Sequence, residues 1–556
     1  MPAFAALQYQ PGAFDIGGAR LMGRQAAGES FLKAWTRYAE ADPLTCWTAN
    51  RRHADQFERQ VRGMGAMEPI AAASIDTLDP LVRAGALWLA DPNLGDHAWL
   101  RSRAGALERW SIVGVTHTTA SHSVMDMIAD LPIAPTQPWD ALICTSRSVR
   151  ATVEEVLRRQ TDHLRQRLGA QRFDQPQLPI IPLGVHPEDF EQNPDNRHRW
   201  REHLGIAQGD VAVLQMGRLS FHAKAHPLPL FLALEAAAAR SRIRPHLILA
   251  GWFANEGQER LFRETARQYA PSVHLHVVDG RAAGVRRTIW SAADIFTLLA
   301  DNVQETFGLA PVEAMAAGLP VVVSDWDGFK DTVVHGVHGF RIRTRQPETG
   351  AGDIIATRYE VGLDNYDLYV GASSQAIAVD VPEAAEAFRL LFEDGDRRAR
   401  MGVAGRAHAH SNLSWRRIIG LYQALLRDLE DRRRGAAVQG TRARPSRLDP
   451  FVAFRSYPSA VLDGATEVSA ASPEVVERLP GIHACSGAST FADLLPTLSE
   501  MAAILNRCQE GPTPVFRLLN SGLSTPEGKC LRGIAWLLKM NLLAVRYNAD
   551  GAAGLE

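Results

Sequence analysis

Two glutamates with seven residues between them, Glu305 and Glu313, flank a glycine turn in the middle of the chain. The segment Thr306-Phe307-Gly308-Leu309 follows the first glutamate, and Pro311 suits a first helical turn because it has no N–H group to leave unpaired. A glycine turn that opens into a helix directs several N–H groups and a partial positive charge at one point. The sequence therefore predicts an anion site at this turn.

The two carboxylates would repel a phosphate, so hydroxyl groups on either side of the phosphate are better partners for them. A ligand with a sugar on one side of a diphosphate and a ribose on the other is a nucleotide sugar. The ordinary alternative makes Glu313 a favourable charge at a helix start and Glu305 an exposed loop acid. Two glutamates at this spacing do not decide between these interpretations, and the surrounding segments have to.

The stretch from Glu305 to Glu313 resembles the E-x7-E motif of the retaining glycosyltransferases of family 4, the glycosyl transferases group 1. The resemblance covers about residues 1–433. It implies that Glu305 and the backbone amides after it contact the donor sugar and phosphate, and that Glu313 holds the ribose. It also implies a GT-B fold, in which two Rossmann-like domains face a cleft.

A pair of cations follows the predicted strand 211–216. Gly217 and Arg218 come directly after this strand, and Lys224 lies in the loop before a helix predicted from Pro227. Two cations so placed can converge on a diphosphate from one side. Arginine and lysine in a loop mean little alone, but they match the Gly-Arg and Lys of the family, which implies a diphosphate clamp.

His117 ends the apolar run 111–116, and the carboxyl ends of strands are where open α/β sheets bind ligands. The resemblance implies that His117 is the active-site histidine facing the donor sugar, with the nearby His122 as its competitor.

Gly17 and Gly18 would permit close approach of the backbone to a ligand. A surface turn is an equally good interpretation of these two glycines, although the family has a glycine-rich loop lining its cleft near this point.

Short apolar runs separated by polar or helical segments indicate the fold class, which is α/β. Predicted strands of the first half are 45–48, 69–73, 86–90, 111–116 and 141–145, and those of the second are 211–216, 247–250, 273–278, 295–300 and 320–324. The predicted divisions are an N-terminal Rossmann-like acceptor-side domain (1–190), a nucleotide-sugar-binding Rossmann-like domain (191–415), a crossover helix (416–433), a linker (434–450) and a small accessory domain (451–556).

The composition is that of a globular protein whose surface is not dominated by nucleic-acid binding. The chain has 556 residues, 46% hydrophobic and 22% charged, with a net charge of -2, which makes nucleic acid an improbable partner. Five scattered cysteines without a C-x-x-C pair fit a reducing cytoplasm. We find neither a signal peptide nor an apolar run of about 18 residues, so the predicted location is cytoplasmic, with peripheral membrane contact as the alternative.

The segment 147–172 is a predicted helix with seven arginines and three acids. A solvated face and a surface for membranes or anionic acceptors both remain open as interpretations of this helix.

In the last hundred residues, predicted helices at 490–506, 514–519 and 526–543 precede a strand-like segment at 544–547. This order is similar to a winged helix, but basic residues are spread among apolar ones, so we favour a packing or homo-oligomerisation module.

Two loops depart from the family pattern. Family members often carry Pro-Ser before the first glutamate and Gly-Gly with Glu after the next strand, whereas this chain has Leu299-Ala300-Asp301 and Asp325-Trp326-Asp327-Gly328. Both loops border the donor pocket in the family. These differences therefore leave the identity of the donor sugar undetermined, whereas the fold is expected to be unchanged.

The predicted function is transfer of a sugar, with retention, from a nucleotide-diphosphate sugar to a saccharide, lipid-linked or other hydroxyl acceptor in polysaccharide, lipopolysaccharide or glycoconjugate biosynthesis. The resemblance implies front-face displacement in which the leaving phosphate helps to deprotonate the acceptor. No metal and no cofactor are predicted. A nucleotide-sugar epimerase, a phosphorylase and a non-catalytic sugar-nucleotide-binding protein remain as alternatives, although no lysine is marked for the pyridoxal group that a phosphorylase needs.

Overall fold

The computed structural model describes residues 4–14, 23–436, 443–520, 522 and 525–546. Two compact units divide the chain, Met1–Arg444 and Pro445–Glu556, and the division falls within the predicted linker 434–450. No helix among the described residues is both long and apolar enough to cross a membrane.

The first domain of the larger unit is a doubly wound α/β layer. All strand pairs in its six-stranded sheet are parallel, in the order β3-β2-β1-β4-β5-β6. The strands are β1 (Ala6–Gln8), β2 (Leu44–Trp47), β3 (Ile70–Ala73), β4 (Ala86–Leu89), β5 (Ser111–Val115) and β6 (Ala141–Ile143). The helices are α1 (Pro11–Phe14), α2 (Gly23–Tyr38), α3 (Arg51–Gly63), α4 (Asp79–Ala84), α5 (Leu94–Arg103), α6 (His122–Asp130) and α7 (Arg147–Leu168).

The second domain repeats this architecture. Its six strands are parallel in the order β12-β11-β10-β7-β8-β9. They are β7 (Ala212–Leu219), β8 (His246–Phe253), β9 (His274–Asp279), β10 (Ile295–Leu298), β11 (Val321–Ser324) and β12 (Gly339–Ile342). The helices that precede or connect them are α8 (Pro194–Leu204), α9 (Pro227–Ala239), α10 (Glu256–Tyr269), α11 (Ala283–Thr288), α12 (Leu309–Ala316) and α13 (Phe329–Thr332).

After β12 the chain forms an additional hairpin of helices that sequence patterns did not reveal. The short antiparallel strands β13 (Thr344–Arg345) and β14 (Ala378–Val379) enclose α14 (Asp353–Glu360) and α15 (Tyr366–Ser374). We call residues 353–374 the tyrosine hairpin. Each of the two helices has only eight or nine residues, too few for a helical repeat of apolar residues to stand out, which explains why periodicity missed it.

Three further helices complete the larger unit: α16 (Val381–Glu393), α17 (Gly395–Asn412) and α18 (Trp415–Arg434). The last helix packs Trp415, Tyr422 and Leu429 into the core beneath the first sheet, so it returns to the first domain. The chain thus crosses between the domains twice, and the crossings pair through hydrogen bonds from Val185 N–H to the Leu413 carbonyl and from Trp415 N–H to the Val185 carbonyl, both 2.9 Å. The predicted pair of Rossmann-like domains in a GT-B arrangement is confirmed.

The smaller unit is mainly helical around a three-stranded antiparallel sheet of order β16-β15-β17. Its elements are α19 (Pro450–Ala453), β15 (Glu467–Ala470), α20 (Val475–Cys485), α21 (Leu498–Gln509), β16 (Thr513–Pro514), α22 (Val515–Leu519), α23 (Glu527–Lys539) and β17 (Leu543–Val545).

Two helix predictions in the smaller unit need correction. The helix predicted at 490–506 begins only at Leu498, because Thr497 and Glu500 form a capping box at its start. The helix predicted at 526–543 ends at Lys539, and Leu543 already belongs to β17. Strand β15 and helix α20 were not predicted. The similarity to a winged helix stays a prediction.

A buried ion pair ties the first domain together. Arg101 donates from its two terminal nitrogens to the two carboxylate oxygens of Asp140, at 2.7 and 2.6 Å, and both side chains are fully buried. Asp140 also accepts hydrogen bonds from the N–H groups of Ile112 and Gln137, each at 2.8 Å. One carboxylate therefore links α5, β5 and the start of β6, so its charge is compensated from several sides.

Replacing Asp140 with asparagine should destabilise the protein by about 3–5 kcal/mol, because the Arg101 guanidinium would remain buried without a counter-charge. Chemical denaturation gives the midpoint. Asp162→Asn is the control, since Asp162 pairs with Arg158 and Arg165 on the exposed face of α7 and its loss should leave the midpoint near that of wild type. Equal midpoints for the two variants would contradict this prediction.

Candidate functional site

The candidate site lies where the carboxyl ends of strands from the two sheets meet. Thr306, in the loop after β10, donates a hydrogen bond of 2.6 Å from its hydroxyl to the backbone carbonyl of His117, just after β5. Parallel strands end at one edge of their sheet, and ligands of open α/β sheets bind outside that edge. This contact therefore places the predicted histidine beside the glutamate-containing turn, across the boundary between the domains.

The turn before α12 accepts only glycine at its centre. Gly308 has a φ of +83°, and a Cβ atom there would lie 2.0 Å from the ring of Phe329. Gly328 is packed in the same way, since its Cβ would lie 2.5 Å from the backbone of Phe307. Helix α12 begins directly after Gly308, at Leu309, and no side chain caps its N-terminus. The N–H groups of its first turn, together with the positive end of the helix dipole, suit an anion.

Both predicted cations lie against the loop that carries Glu305. Lys224 Nζ is 2.5 Å from Glu305 Oε2, and Arg218 donates a hydrogen bond of 3.1 Å to the side-chain oxygen of Gln304. Gly217 has a φ of +132°, and its missing Cβ would lie 3.4 Å from Lys224 Cε. The structure thus brings together Gly217, Arg218, Lys224 and Glu305. A diphosphate would have to share Lys224 with Glu305 or displace it.

Glu313 lies one turn into α12, close enough to this cluster for Lys224 to favour its charge. Its side chain keeps some contact with solvent but is crowded by protein atoms. Burial raises the pKa of Glu313 to about 7, against the opposing effects of Lys224 and Arg286. Within the described part of the chain, no donor bonds its carboxyl group, which leaves the oxygens available for ligand hydroxyl groups.

The two departures from the family pattern place further acids beside the site. Burial raises the pKa of Asp301 to about 7, and its carboxyl accepts a hydrogen bond of 3.1 Å from the N–H of His226, next to α9. Burial also raises the pKa of Asp327 to about 7, with Ser146 opposing the shift and Glu305 adding to it. Sequence analysis had singled out neither acid as a site residue.

Asp325 and Asp327 form an Asp-x-Asp sequence, which is a recognised metal-binding pattern that sequence analysis passed over. Their side chains face different partners: Asp325 pairs with Arg341 at 3.3 Å, and Asp327 accepts a hydrogen bond of 2.6 Å from the Ser146 hydroxyl. In the ranges that the structure describes, no group of three or more His, Cys, Asp or Glu side chains is arranged to hold a metal ion. Metal independence stays a prediction.

The N-terminus of α7 binds acids of the second domain. Besides the bond from Ser146 to Asp327, Arg147 donates to Asp331 from its backbone N–H at 2.7 Å and from its guanidinium at 2.6 Å. The positive end of this 22-residue helix favours such acids. Sequence reasoning missed these contacts because the partners lie more than 180 positions apart.

The arginines of α7 are largely matched by acids on the same helix. Glu155 pairs with Arg158 and Arg159, and Asp162 pairs with Arg158 and Arg165, at distances between 2.6 and 3.1 Å. Such spacings are those of exposed helix pairs. The contacts favour a solvated face over a surface that binds membranes or anionic acceptors.

His122 makes a different set of contacts from His117. Its ring stacks on Tyr359 at 3.6 Å between centroids, and its backbone N–H donates to the Tyr359 hydroxyl at 3.0 Å. The competing histidine is therefore engaged by the tyrosine hairpin. Gly17 and Gly18 lie outside the described residues, so their predicted contact with a donor stays a prediction.

Comparison with known proteins finds a family model that matches part of the chain. The family model for glycosyl transferases group 1 matches residues 196–357. The matched region holds Arg218, Lys224, Glu305 and Glu313. It does not reach the first domain or the smaller unit.

Curated proteins similar to this chain carry glycosyltransferase names. A D-inositol 3-phosphate glycosyltransferase of Geodermatophilus obscurus is 27% identical over 312 residues, which are 52% of this chain and 64% of the relative. An uncharacterized glycosyltransferase of Methanocaldococcus jannaschii is 25% identical over 190 residues, 34% of this chain and 46% of the relative. The chain thus spans less than two thirds of the length of these relatives.

Among solved structures, Anabaena HepE in complex with UDP is 16% identical, with a TM-score of 0.48, and the match covers 77% of this chain and 100% of that one. A glycosyltransferase from Rickettsia africae is 11% identical, also with a TM-score of 0.48, covering 77% of this chain and 98% of that one. At these values the similarity supports no inference about the substrate of this chain.

The raised pKa of Glu313 predicts a pH-dependent cost to stability. The unfolded glutamate loses its proton near its ordinary pKa of 4.5, whereas the folded one keeps it to about 7, so rising pH favours unfolding across this range. Glu313→Gln removes that cost. Its melting temperature relative to wild type should therefore rise between about pH 5 and about pH 8. Glu256→Gln, in the exposed first turn of α10, is the control. A constant difference for Glu313→Gln would contradict the prediction.

Proposed function

We propose that this protein is a retaining glycosyltransferase that moves a sugar from a nucleotide-diphosphate sugar to a hydroxyl acceptor. The observation that carries the proposal is the convergence of Arg218 and Lys224 on the loop of Glu305, within the region that matches the glycosyl transferases group 1 model. Two cations on one side of the turn and the uncapped helix α12 on the other form a site of the right charge for a diphosphate.

Each part of the donor has a partner in this arrangement. The diphosphate lies between the two cations and the N–H groups after Gly308, where Leu309 begins α12. Glu305 and the backbone of Thr306 and Phe307 contact the donor sugar. Glu313, whose carboxyl has no donor among the described residues, accepts hydrogen bonds from the ribose hydroxyls.

The chemical step forms a bond between the acceptor oxygen and the anomeric carbon and breaks the bond from that carbon to the phosphate oxygen. The acceptor proton passes to the departing phosphate, and both events occur on the same face of the sugar, so configuration is retained. Arg218, Lys224 and the start of α12 stabilise the charge that develops on the leaving diphosphate. His117 lies at the end of β5, facing the donor sugar.

The first domain provides the acceptor side of the cleft. Its contacts with the second domain, from Ser146 and Arg147 to Asp327 and Asp331, hold the cleft closed and limit hydrolysis of the donor by water. The acceptor is a saccharide, a lipid-linked saccharide or another hydroxyl compound. Several relatives are named for inositol 3-phosphate, so inositol phosphates belong among the acceptors to be tried. We propose a cytoplasmic location, and neither a metal nor a cofactor in the reaction.

Incubation with a panel of nucleotide sugars, with and without acceptors, tests the function. A transferase should hydrolyse one donor slowly alone and transfer its sugar rapidly once an acceptor is present, and NMR should find the anomeric configuration of the donor in the product. A bound donor should also raise the melting temperature by mass action. Isomerisation of the donor would identify an epimerase, and binding without turnover would identify a sugar-nucleotide-binding protein.

Lys224→Ala should lower kcat by roughly 100-fold or more, because the leaving diphosphate loses one preorganised cation. The variant should remain folded, with a moderately lower melting temperature, because Glu305 loses its ion-pair partner. Lys330→Ala is the matched control, since Lys330 is an exposed lysine of the same domain. Wild-type rates for Lys224→Ala would remove the diphosphate clamp from the proposal.

The smaller unit supports a role in self-association. Its segment 448–461 leaves large apolar side chains in solvent, with Phe451 74% and Tyr457 80% exposed. Patches of this kind on soluble proteins often bind other proteins. We therefore propose that the unit joins copies of this chain.

Light scattering on the full chain tests this role. Wild type should be oligomeric, and the double substitution Phe451→Ser and Tyr457→Ser should lower the measured mass to that of a smaller assembly. Val403→Ser, at a position 71% exposed on α17, should leave the mass unchanged. A monomeric wild type would reject the proposal.

A further inference from the structure

The tyrosine hairpin contacts the first domain at the residues that follow β5. Tyr359 is buried, its ring stacks on that of Tyr369 at 4.3 Å between centroids, and it stacks on His122 from the other side. The backbone N–H of His122 donates a hydrogen bond to the Tyr359 hydroxyl. This stack of three rings anchors the hairpin at the start of α6, so the hairpin spans the boundary between the domains.

The hairpin also supports the loop between β7 and α9, which carries Lys224. Gly371 of α15 lies so close to this loop that a Cβ atom on it would be 3.0 Å from the Cβ of His222. Asp367, also on α15, has a carboxylate oxygen 3.9 Å from the ring of His222. One helix therefore contacts the loop of the proposed diphosphate site.

Tyr366 is the first residue of α15. Its hydroxyl is 3.5 Å from the hydroxyl of Thr118, the residue after His117. Hydroxyl pairs normally bond at about 2.7–2.8 Å, so this phenol is only weakly bonded to the protein there. Arg218 is close enough to favour ionisation of the phenol, but burial dominates and raises the pKa of Tyr366. A neutral phenol therefore lies beside the first-domain loop that follows β5, within electrostatic range of Arg218.

We propose that the hydroxyl of Tyr366 forms a hydrogen bond with the acceptor and positions the attacking hydroxyl beside the leaving phosphate. The proposal rests on the function proposed above. In front-face displacement the acceptor must enter between the first domain and the diphosphate, and Tyr366 lies beside Thr118 of the first domain, on the helix that contacts the loop carrying Lys224. The donor sugar has partners elsewhere in that proposal, at Glu305 and the amides after it. The ligand class is a polyhydroxylated acceptor, because a phenol can both donate to and accept from such a group.

The test compares Tyr366→Phe, which removes only the hydroxyl, with Tyr369→Phe, which makes the same change on the same helix. For each variant we would measure donor hydrolysis without acceptor, the KM for donor, the KM for acceptor and the melting temperature. Tyr366→Phe should raise the acceptor KM by roughly 5- to 10-fold, as expected for one lost hydrogen bond, and leave the other quantities as in wild type. Tyr369→Phe should change none of them.

The remaining outcomes separate this proposal from the proposed function. An unchanged acceptor KM in Tyr366→Phe, with an active wild type, would overturn the role of Tyr366 alone. Equal losses in donor hydrolysis and transfer would assign the hydroxyl to the donor or to domain closure, which also overturns it. A wild type that turns over no donor would overturn the proposed function, and the role of Tyr366 with it.

Discussion

The ion pair between Lys224 and Glu305 joins two loops that follow neighbouring strands, β7 and β10, and the candidate site depends on this junction. The two residues are 81 positions apart, so the pair connects loops that are distant in the chain. Asn302 reinforces the junction by donating a hydrogen bond of 2.6 Å to the Lys224 carbonyl. A partly buried pair of opposite charges costs less than either charge alone, so Lys224 and Glu305 can both stay charged beside each other.

Around this junction the protein keeps three acids in surroundings that favour their neutral forms. Burial raises the pKa of Asp301, Glu313 and Asp327 to about 7 in each case. A neutral carboxyl group does not repel a diphosphate and can donate as well as accept a hydrogen bond. The same burial makes these residues a cost to folding once they ionise, and Lys224 reduces that cost for Glu313. The buried acids therefore lower stability, but in their neutral forms they would suit an anionic ligand that carries hydroxyl groups.

The cleft is closed by contacts of different physical kinds. At one place, acids of the second domain lie at the positive end of α7, where the helix dipole and the hydroxyl of Ser146 hold them. At another, the tyrosine hairpin stacks an aromatic ring on His122. Two chain crossings paired near Val185 connect the domains on the remaining side. Because these contacts are local and mostly polar, they can be made and broken without disturbing the core of either sheet.

Local sequence patterns were enough to predict the repeating α/β architecture, because buried parallel strands appear as short apolar runs and the glycine turn with Pro311 marks the start of α12. The resemblance to the family's E-x7-E motif and to its Gly-Arg and Lys added Arg218, Lys224, Glu305 and Glu313 as site residues, which local patterns alone did not distinguish from ordinary loop and helix residues. The folded chain was needed to show that Lys224 pairs with Glu305, that Asp327 meets Ser146, and that Tyr366 lies beside Thr118. Those contacts join residues far apart in the chain, and local periodicity carries no information about which loops meet in space.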